Sequence, residues 1–281
     1  MIQNKPKLRF NPSYGIVREF NDHTYKLMAF KYPFDTMPEL RETRKKGEAN
    51  DRKLSNNISR TRSMIYDLVA SNPWQHFVTL TIDGEKYNRE NLRAYEKDLQ
   101  TMIKNYNAYN KTEIKFLFIP ELHADKKSYH MHGLMSGLPD KCLTPFTSDM
   151  YLPERILKKL DEGKRVFEWK QYRTRFGFCE LEEVQNPDAV SGYMTKYITE
   201  DLASTVQDLN AHSYFCSRGL KRSKIVCRGT LISIPEMDFE NDYVGIKKFE
   251  NKDEARKFFI EKEDETCSYL SIFQNGLTAN V

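Results

Sequence analysis

Three short apolar segments around one long amphipathic segment constrain the fold of this chain more than any other feature. Residues 76–83 read His-Phe-Val-Thr-Leu-Thr-Ile-Asp, an alternating, β-branched pattern that predicts a strand. Residues 115–122 and 129–136 are two further predicted strands, and the short polar turn between them predicts an antiparallel hairpin. Apolar residues recur at helical spacing across 88–110. This order predicts an α+β fold with an antiparallel central sheet and flanking helices.

Weaker patterns predict the remaining elements. The predicted strands and hairpins are a β-hairpin at 14–20 and 24–32, a strand at 176–184, and later strands at 213–219 and 225–234, with a hairpin around 220–224 as an alternative for the last two. The predicted helices are an exposed helix or helix pair within 38–71 with a break near Gly47, a short helix at 153–162, a helix from Ala189 to about Leu202 capped by Asp188, and a charged helix near 253–265.

Composition excludes several classes of protein. With 281 residues, 39% hydrophobic and 12% aromatic, the chain predicts a folded protein and not a disordered one. It holds no run of eighteen apolar residues, and its N-terminus lacks the apolar core of a signal peptide, so we expect no membrane partner and a cytoplasmic location. Five scattered cysteines without a Cys-x-x-Cys pair indicate reduced thiols and argue against a zinc site.

Charge is unevenly distributed along the chain. The net charge is only +4, but segments 1–76 and 203–235 carry more Lys and Arg than Asp and Glu, whereas 236–265 is acidic. Basic segments favour a partner with a phosphate backbone, and an ordinary solvated surface is the alternative.

Residues 129–134 read Tyr-His-Met-His-Gly-Leu. Side chains alternate between the faces of a strand, so His130 and His132 are expected on one face, with Met131 behind them. Two imidazoles on one face can hold a divalent metal ion. The alternative is a pair of histidines on the wet face of a strand.

Residues 192–198 read Gly-Tyr-Met-Thr-Lys-Tyr-Ile. In a helix, Tyr193, Lys196 and Tyr197 share a face and present two phenols and an ammonium together. A phenol near a metal-bound phosphate can attack phosphorus, so the two motifs together suggest that the chain breaks and rejoins a nucleic-acid strand through a phosphotyrosine. The alternative is ordinary half-buried tyrosine packing.

The order of the motifs, from the strand at 76–83 through the His-Met-His strand to the Tyr-x-x-Lys helix, resembles the HUH endonucleases. Within them the chain is similar to rolling-circle replication initiators, such as the gene II proteins of filamentous phages and related phage or plasmid replication proteins. The resemblance covers roughly 74–234 and implies a ferredoxin-like or RRM-like palm. We therefore expect an endonuclease domain at 74–234, with an N-terminal hairpin and basic helical extension at 1–73 and an acidic extension at 235–281.

The resemblance implies a metal site with three ligands. His130 and His132 match the two histidines of the family motif, and Glu121 matches the polar third ligand. Two imidazoles and a carboxylate suit Mn²⁺ or Mg²⁺. A solvated strand-end carboxylate is the alternative for Glu121. His123 is an alternative ligand, although we expect it to face away from neighbours at odd spacing.

The resemblance also assigns the chemistry. Tyr193 matches the nucleophile and Lys196 its accompanying lysine, so attack leaves a 5′-phosphotyrosine and a free 3′-hydroxyl that primes synthesis. Tyr197 matches the second tyrosine that the gene A proteins of small icosahedral phages use in alternation, and packing against the sheet is an equal alternative. Thr79 and Thr81 lie in the first motif, and we interpret them as mainly structural.

Four cations of the segment 217–224, Ser-Arg-Gly-Leu-Lys-Arg-Ser-Lys, are predicted contacts for single-stranded DNA: Arg218, Lys221, Arg222 and Lys224. Soluble surface is the alternative. The expected partners are a single-stranded DNA origin and a host helicase and polymerase, because the sequence contains no P-loop of its own.

Two other functions compete with a replication initiator. The first is a non-catalytic module that binds single-stranded nucleic acid on the same sheet, which leaves the histidine pair and the tyrosines without a purpose. The second is a transposase or relaxase of the HUH type. Typical relaxases carry the tyrosine ahead of the histidines, whereas here it follows them.

Overall fold

A computed structural model of the protein describes two compact units, one formed by 1–41 with 224–281 and the other by 42–223. Within 51–57 and at residue 59 only the backbone is described. The described residues are 14–21, 24–30, 51–123, 125, 127–186, 190, 193–194, 197, 213–240 and 244–260.

The described part of the chain contains short strands and five α-helices. The strands are β1 Tyr14–Asn21, β2 Thr24–Phe30, β3 His76–Thr81, β4 Lys115–Leu122, β5 Tyr129–Ser136, β6 Leu143–Pro145, β7 Val166–Trp169, β8 Cys179–Glu183, β9 Phe215–Cys216, β10 Lys224–Thr230, β11 Phe239–Glu240 and β12 Val244–Phe249. The helices are α1 Asp51–Ala70, α2 Leu92–Asn110, α3 Glu154–Asp161, α4 Lys170–Arg175 and α5 Lys252–Arg256. None of these described helices is long and apolar enough to cross a membrane.

The unit 42–223 is built on a seven-stranded sheet. Its strand order is β6-β7-β8-β3-β5-β4-β9, and every pairing is antiparallel. The central strands β3 and β5 carry the first two sequence motifs side by side. The predicted α+β class with an antiparallel central sheet is therefore confirmed.

The long amphipathic segment forms α2 as predicted. Asn91 caps its first turn, because the Asn91 side chain accepts a hydrogen bond from the backbone N–H of Ala94. The helix ends where Lys111 adopts a left-handed conformation with φ of 51°. Between these ends, apolar side chains one turn apart are buried in the core.

Aromatic side chains tie the helices to the sheet. The hydroxyl of Tyr95 on α2 lies 2.8 Å from that of Tyr172 on α4, and Tyr172 donates a hydrogen bond of 3.3 Å to the carbonyl of Thr81. Both rings are fully buried, so these bonds satisfy hydroxyl groups that would otherwise be costly to desolvate. The end of β3 is thereby held in place.

The predicted β4–β5 hairpin is confirmed, and its strands approach each other closely at Gly133. A Cβ atom at this position would lie 2.3 Å from Cδ1 of Phe118 and 2.4 Å from the carbonyl oxygen of Leu117. Only glycine fits this contact. The resulting register places Glu121 directly opposite His130.

The alternative of a hairpin around 220–224 is wrong. Strand β9 pairs with β4, and its Phe215 packs against Phe116 and Phe118. Strand β10 pairs instead with β1 in the other sheet. The segment 217–223 therefore leads from one sheet to the other and does not close a turn.

The other unit combines the two ends of the described chain in one sheet. The predicted β1–β2 hairpin is confirmed, and β10 and β12 pair with its outer edges in a five-stranded antiparallel sheet of order β10-β1-β2-β12-β11. Buried residues from β1, β2 and the region around α5 form its core. The compact units meet in sequence at 41/42 and 223/224. The domain boundaries expected at 73/74 and 234/235 stay predictions.

Candidate metal centre and tyrosine pair

The two histidines of β5 lie on one face of the seven-stranded sheet. His130 and His132 are partly exposed, whereas Met131 between them is fully buried on the opposite face. The strand alternation expected from the sequence is thus present. It leaves both imidazoles accessible from one side.

Glu121 completes a three-residue group. Its Oε2 atom lies 2.6 Å from Nε2 of His130 and 2.6 Å from Nε2 of His132. These contacts hold the pKa of the Glu121 carboxyl well below its usual range. One ligand atom from each residue lies within 4.8 Å of the others, so the three can hold a metal ion.

His123 lies beside this group without completing it. Its ring centroid is 4.6 Å from that of His130, although we expected His123 to face away from neighbours at odd spacing. The reason is that β4 ends at Leu122, beyond which strand alternation no longer applies. Burial and the neighbouring His130 lower the pKa of His123. Among the described residues, the group that can hold a metal contains Glu121 and not His123.

A threonine contacts the second histidine from behind. Thr79 on β3 is directly opposite His132, and its Oγ1 lies 3.3 Å from His132 Nδ1. With Nδ1 facing the hydroxyl, Nε2 faces the carboxylate of Glu121. We interpreted Thr79 from the sequence as mainly structural, so this polar contact is one that sequence reasoning missed.

The two tyrosines lie directly over the histidine strand. The ring of Tyr197 stacks on His132, with 4.1 Å between centroids and 12° between planes. Its hydroxyl donates a hydrogen bond of 2.7 Å to that of Tyr193, whose side chain is 42% exposed. Burial, followed by this hydrogen bond, raises the pKa of Tyr197 well above its usual range. Lys196, the predicted partner of Tyr193, lies outside the described residues.

Phe77 supports the tyrosine pair from the sheet. Its ring centroid is 5.3 Å from that of Tyr193 in an edge-to-face arrangement, and 6.5 Å from that of Tyr197. It also lies 6.1 Å from the ring of His132. Aromatic packing therefore joins the third motif to the first two, although about sixty residues of chain separate them.

A buried carboxylate borders this face and was missed by sequence reasoning. Glu180 on β8 lies directly opposite Thr79 and is only 5% exposed. Arg155 on α3 donates two hydrogen bonds to it, of 3.2 and 3.1 Å, and Lys159 lies 3.3 Å away. Strand alternation gave the face of Glu180, but the signal needed was that β8 is the neighbour of β3.

The four predicted DNA-contacting cations do not form one surface. Arg218 follows β9, and the backbone of Lys221 is held by the side chain of Asn72 through bonds of 2.9 Å in both directions. Lys224 begins β10 in the other unit. None of the four, Arg222 included, is a member of the Glu121–His130–His132 group.

Comparison with known proteins identifies the segment that carries this site. Residues 75–202 match the family of replication-associated proteins described as ORF2/gene II protein. The segment belongs to that family. This confirms the resemblance to rolling-circle replication initiators, and the matched segment contains the glutamate, both histidines and both tyrosines. No curated protein and no solved structure shows a significant match to the chain.

Proposed function

We propose that this chain is a metal-dependent DNA endonuclease and strand transferase that starts rolling-circle replication of a phage or plasmid. It nicks and rejoins a single strand at an origin through a 5′-phosphotyrosine. The observation that carries the proposal is the stacking of Tyr197, hydrogen-bonded to Tyr193, directly on His132 of the Glu-His-His group. Two phenols thus lie beside a candidate metal centre within a segment of a replication-associated family.

The donor set favours Mn²⁺ or Mg²⁺. Two imidazole nitrogens and one carboxylate oxygen converge from neighbouring strands, and no thiolate is among them. A bound ion would polarise a non-bridging oxygen of the scissile phosphate and neutralise developing charge. Glu121, His130 and His132 are its proposed ligands, and both imidazoles must be neutral at their Nε2 atoms to bind it.

Tyr193 is the proposed nucleophile because it is the more exposed of the two phenols and accepts the hydrogen bond of the other. A phenol has an ordinary pKa near 10 and needs help to lose its proton. A donated hydrogen bond from Tyr197 stabilises negative charge on the attacking oxygen. The Tyr193 oxygen forms a bond to phosphorus, the bond to the 3′ oxygen breaks, and the proton lost by the phenol is balanced by the one gained at the 3′-hydroxyl.

Tyr197 fits either of its two sequence-based interpretations. Its stacked and partly buried ring is suited to packing, and its hydroxyl is close enough to that of Tyr193 to act as a second nucleophile. Lys196 is proposed to neutralise charge at phosphorus, as in the family. Single-stranded origin DNA, a host helicase and a host polymerase remain the proposed partners, and the cytoplasm the proposed location.

The decisive experiment is to incubate the protein with single-stranded origin-containing oligonucleotides and Mn²⁺ and to map the peptide that carries covalent DNA. We expect an adduct on Tyr193, no adduct with Tyr193→Phe, and initial nicking but failed terminating transfer with Tyr197→Phe if Tyr197 is a second nucleophile. Chelation should abolish cleavage, and His130→Ala with His132→Ala should do the same. An adduct only on a tyrosine outside this pair would refute the mechanism.

A further inference from the structure

A second basic feature of the unit 42–223 is a groove of about 820 Å³ beside α2, at the edge formed by β4 and β9. Five cationic side chains line it and one carboxylate does. The cations are Arg93, Lys97, Lys104, Lys115 and Arg218. The proposed reaction uses only Arg218 of these, as a predicted single-strand contact.

The three cations of α2 form a row along one wall. Arg93, Lys97 and Lys104 are all exposed and line the same groove, and no carboxylate of the described residues lies within ion-pairing distance of them. At a rise of 1.5 Å per residue, the row spans about 16 Å along the helix. In B-DNA a strand advances about 3.4 Å per phosphate, so the row matches about five phosphates.

The opposite wall is held in shape by hydrogen bonds. Lys115 donates a hydrogen bond of 3.3 Å to the carbonyl of Arg218, and the backbone N–H of Phe116 donates one of 2.9 Å to Ser217 Oγ. The Asn107 side chain receives a hydrogen bond of 2.9 Å from the backbone of Ile114 and so fixes the floor of the groove. A preformed wall costs less conformational entropy on binding.

The groove is distinct from the metal centre. Phe116, which lines it, and Glu121 lie at odd spacing on β4, so their side chains point to opposite faces of the sheet. Lys115 and Glu121 lie six residues apart on this strand, about 20 Å. DNA that reaches both places must pass around the β4–β9 edge.

The lining favours phosphates over bases. Its one aromatic residue, Phe116, is 6% exposed and packs in the core, so the groove offers no exposed ring on which a base could stack. The other side chains of the lining are cations and short polar groups, the types that contact the DNA backbone. We infer that this groove binds the sugar-phosphate backbone of duplex DNA flanking the strand that is cleaved. The inference rests on the proposed function, because that function makes DNA the substrate.

The test measures binding of full-length protein to a labelled 20-base-pair duplex and to a single strand of the same length, without metal and over a range of salt. The variant combines Arg93→Gln, Lys97→Gln and Lys104→Gln, since glutamine retains good helix propensity. We expect duplex affinity to fall at least tenfold, and the slope of log affinity against log salt to flatten by about 2.7, or 0.9 per lost contact. Single-strand binding and nicking of a short oligonucleotide should be unchanged.

The matched control neutralises three exposed cations of the same unit that do not line the groove, Lys86, Lys158 and Arg165. An equal loss of duplex binding in this control, an unchanged salt slope in the groove variant, or a loss confined to the single strand would overturn the inference. The single variant Lys97→Glu, checked by thermal unfolding, guards against a folding defect. If the protein fails to nick DNA but duplex binding depends on the groove, the inference stands and the proposed function fails.

Discussion

At the residue scale, the contact between Thr79 and His132 decides which nitrogen of the imidazole faces the other ligands. With Thr79 Oγ1 at 3.3 Å from Nδ1, the histidine is oriented from behind, as metal-binding histidines usually are. The hydroxyl therefore acts on a metal only through the histidine. A methyl group in its place would fill the same space and leave the nitrogen without this partner.

We predict that Thr79→Val weakens Mn²⁺ binding by about 10-fold to 100-fold, because the imidazole loses the group that fixes its orientation. Isothermal titration calorimetry measures the affinity directly. Thr81→Val is the control, since Thr81 lies on the same strand opposite His130 but its hydroxyl makes no hydrogen bond to a described side chain. Equal affinities for Thr79→Val and Thr81→Val would contradict the orienting role.

His76, at the start of β3, predicts a dependence of stability on pH. It is 8% exposed and its ring packs edge-on against Phe167, and burial lowers its pKa below the ordinary 6.5. The unfolded chain therefore takes up this proton first as pH falls below 6.5, which favours unfolding. Stability from the neutral ring is fully present above pH 6.5 and is lost below it, until the folded state also binds the proton.

We predict that His76→Phe is less sensitive to acid than the wild type, because phenylalanine keeps the ring contact and cannot bind a proton. Urea denaturation at several pH values between 7 and 5 gives the free energy of unfolding of both proteins. The difference between them should shift in favour of the variant as pH falls. A constant difference over this range would show that His76 does not contribute to the acid response.

At the element scale, the β4–β5 hairpin brings the metal ligands together, and Gly133 sets how closely its strands approach. Gly133→Ala should push the strands apart, because the new methyl group meets the ring of Phe118 and the carbonyl of Leu117. We predict a loss of about 1–3 kcal/mol in the free energy of unfolding and weaker Mn²⁺ binding. Gly84→Ala is the control, since a Cβ atom there approaches only the flexible Arg89 side chain at 3.3 Å. Wild-type metal affinity in Gly133→Ala would contradict this account.

The elements also show how far sequence reasoning reaches. The opposition of Glu121 and His130 was predictable, since both lie on strands of one hairpin joined by a short turn. The places of Thr79 and Glu180 were not, because they depend on β3 pairing with β5 and β8, which are distant in sequence. Strand β7 was missed because four residues are too few to show alternation. The stacking of Tyr197 on His132 likewise required a tertiary contact.

At the scale of the whole molecule, the unit 42–223 is continuous in sequence and holds the seven-stranded sheet with its own core. We predict that a chain of residues 42–223 folds cooperatively and binds Mn²⁺ with the affinity of the full-length protein. Circular dichroism during heating and calorimetric titration test these two properties. A chain of residues 1–223 is the informative contrast, because its β1–β2 hairpin lacks β10 and β12 at its two edges and should aggregate. Failure of 42–223 to fold would show that the unit is not autonomous.

The pairing of β1 and β2 with β10 and β12 also sets an order of events on the ribosome. The hairpin leaves the ribosome early, but its two partner strands are synthesised about 200 residues later, which takes about 10–40 s at 5–20 residues per second. All strands of the seven-stranded sheet emerge within that interval. We therefore expect the nascent chain to complete the sheet that carries the histidines while its first strands still wait for their partners. The slowest step of folding should be the closure of this long-range sheet.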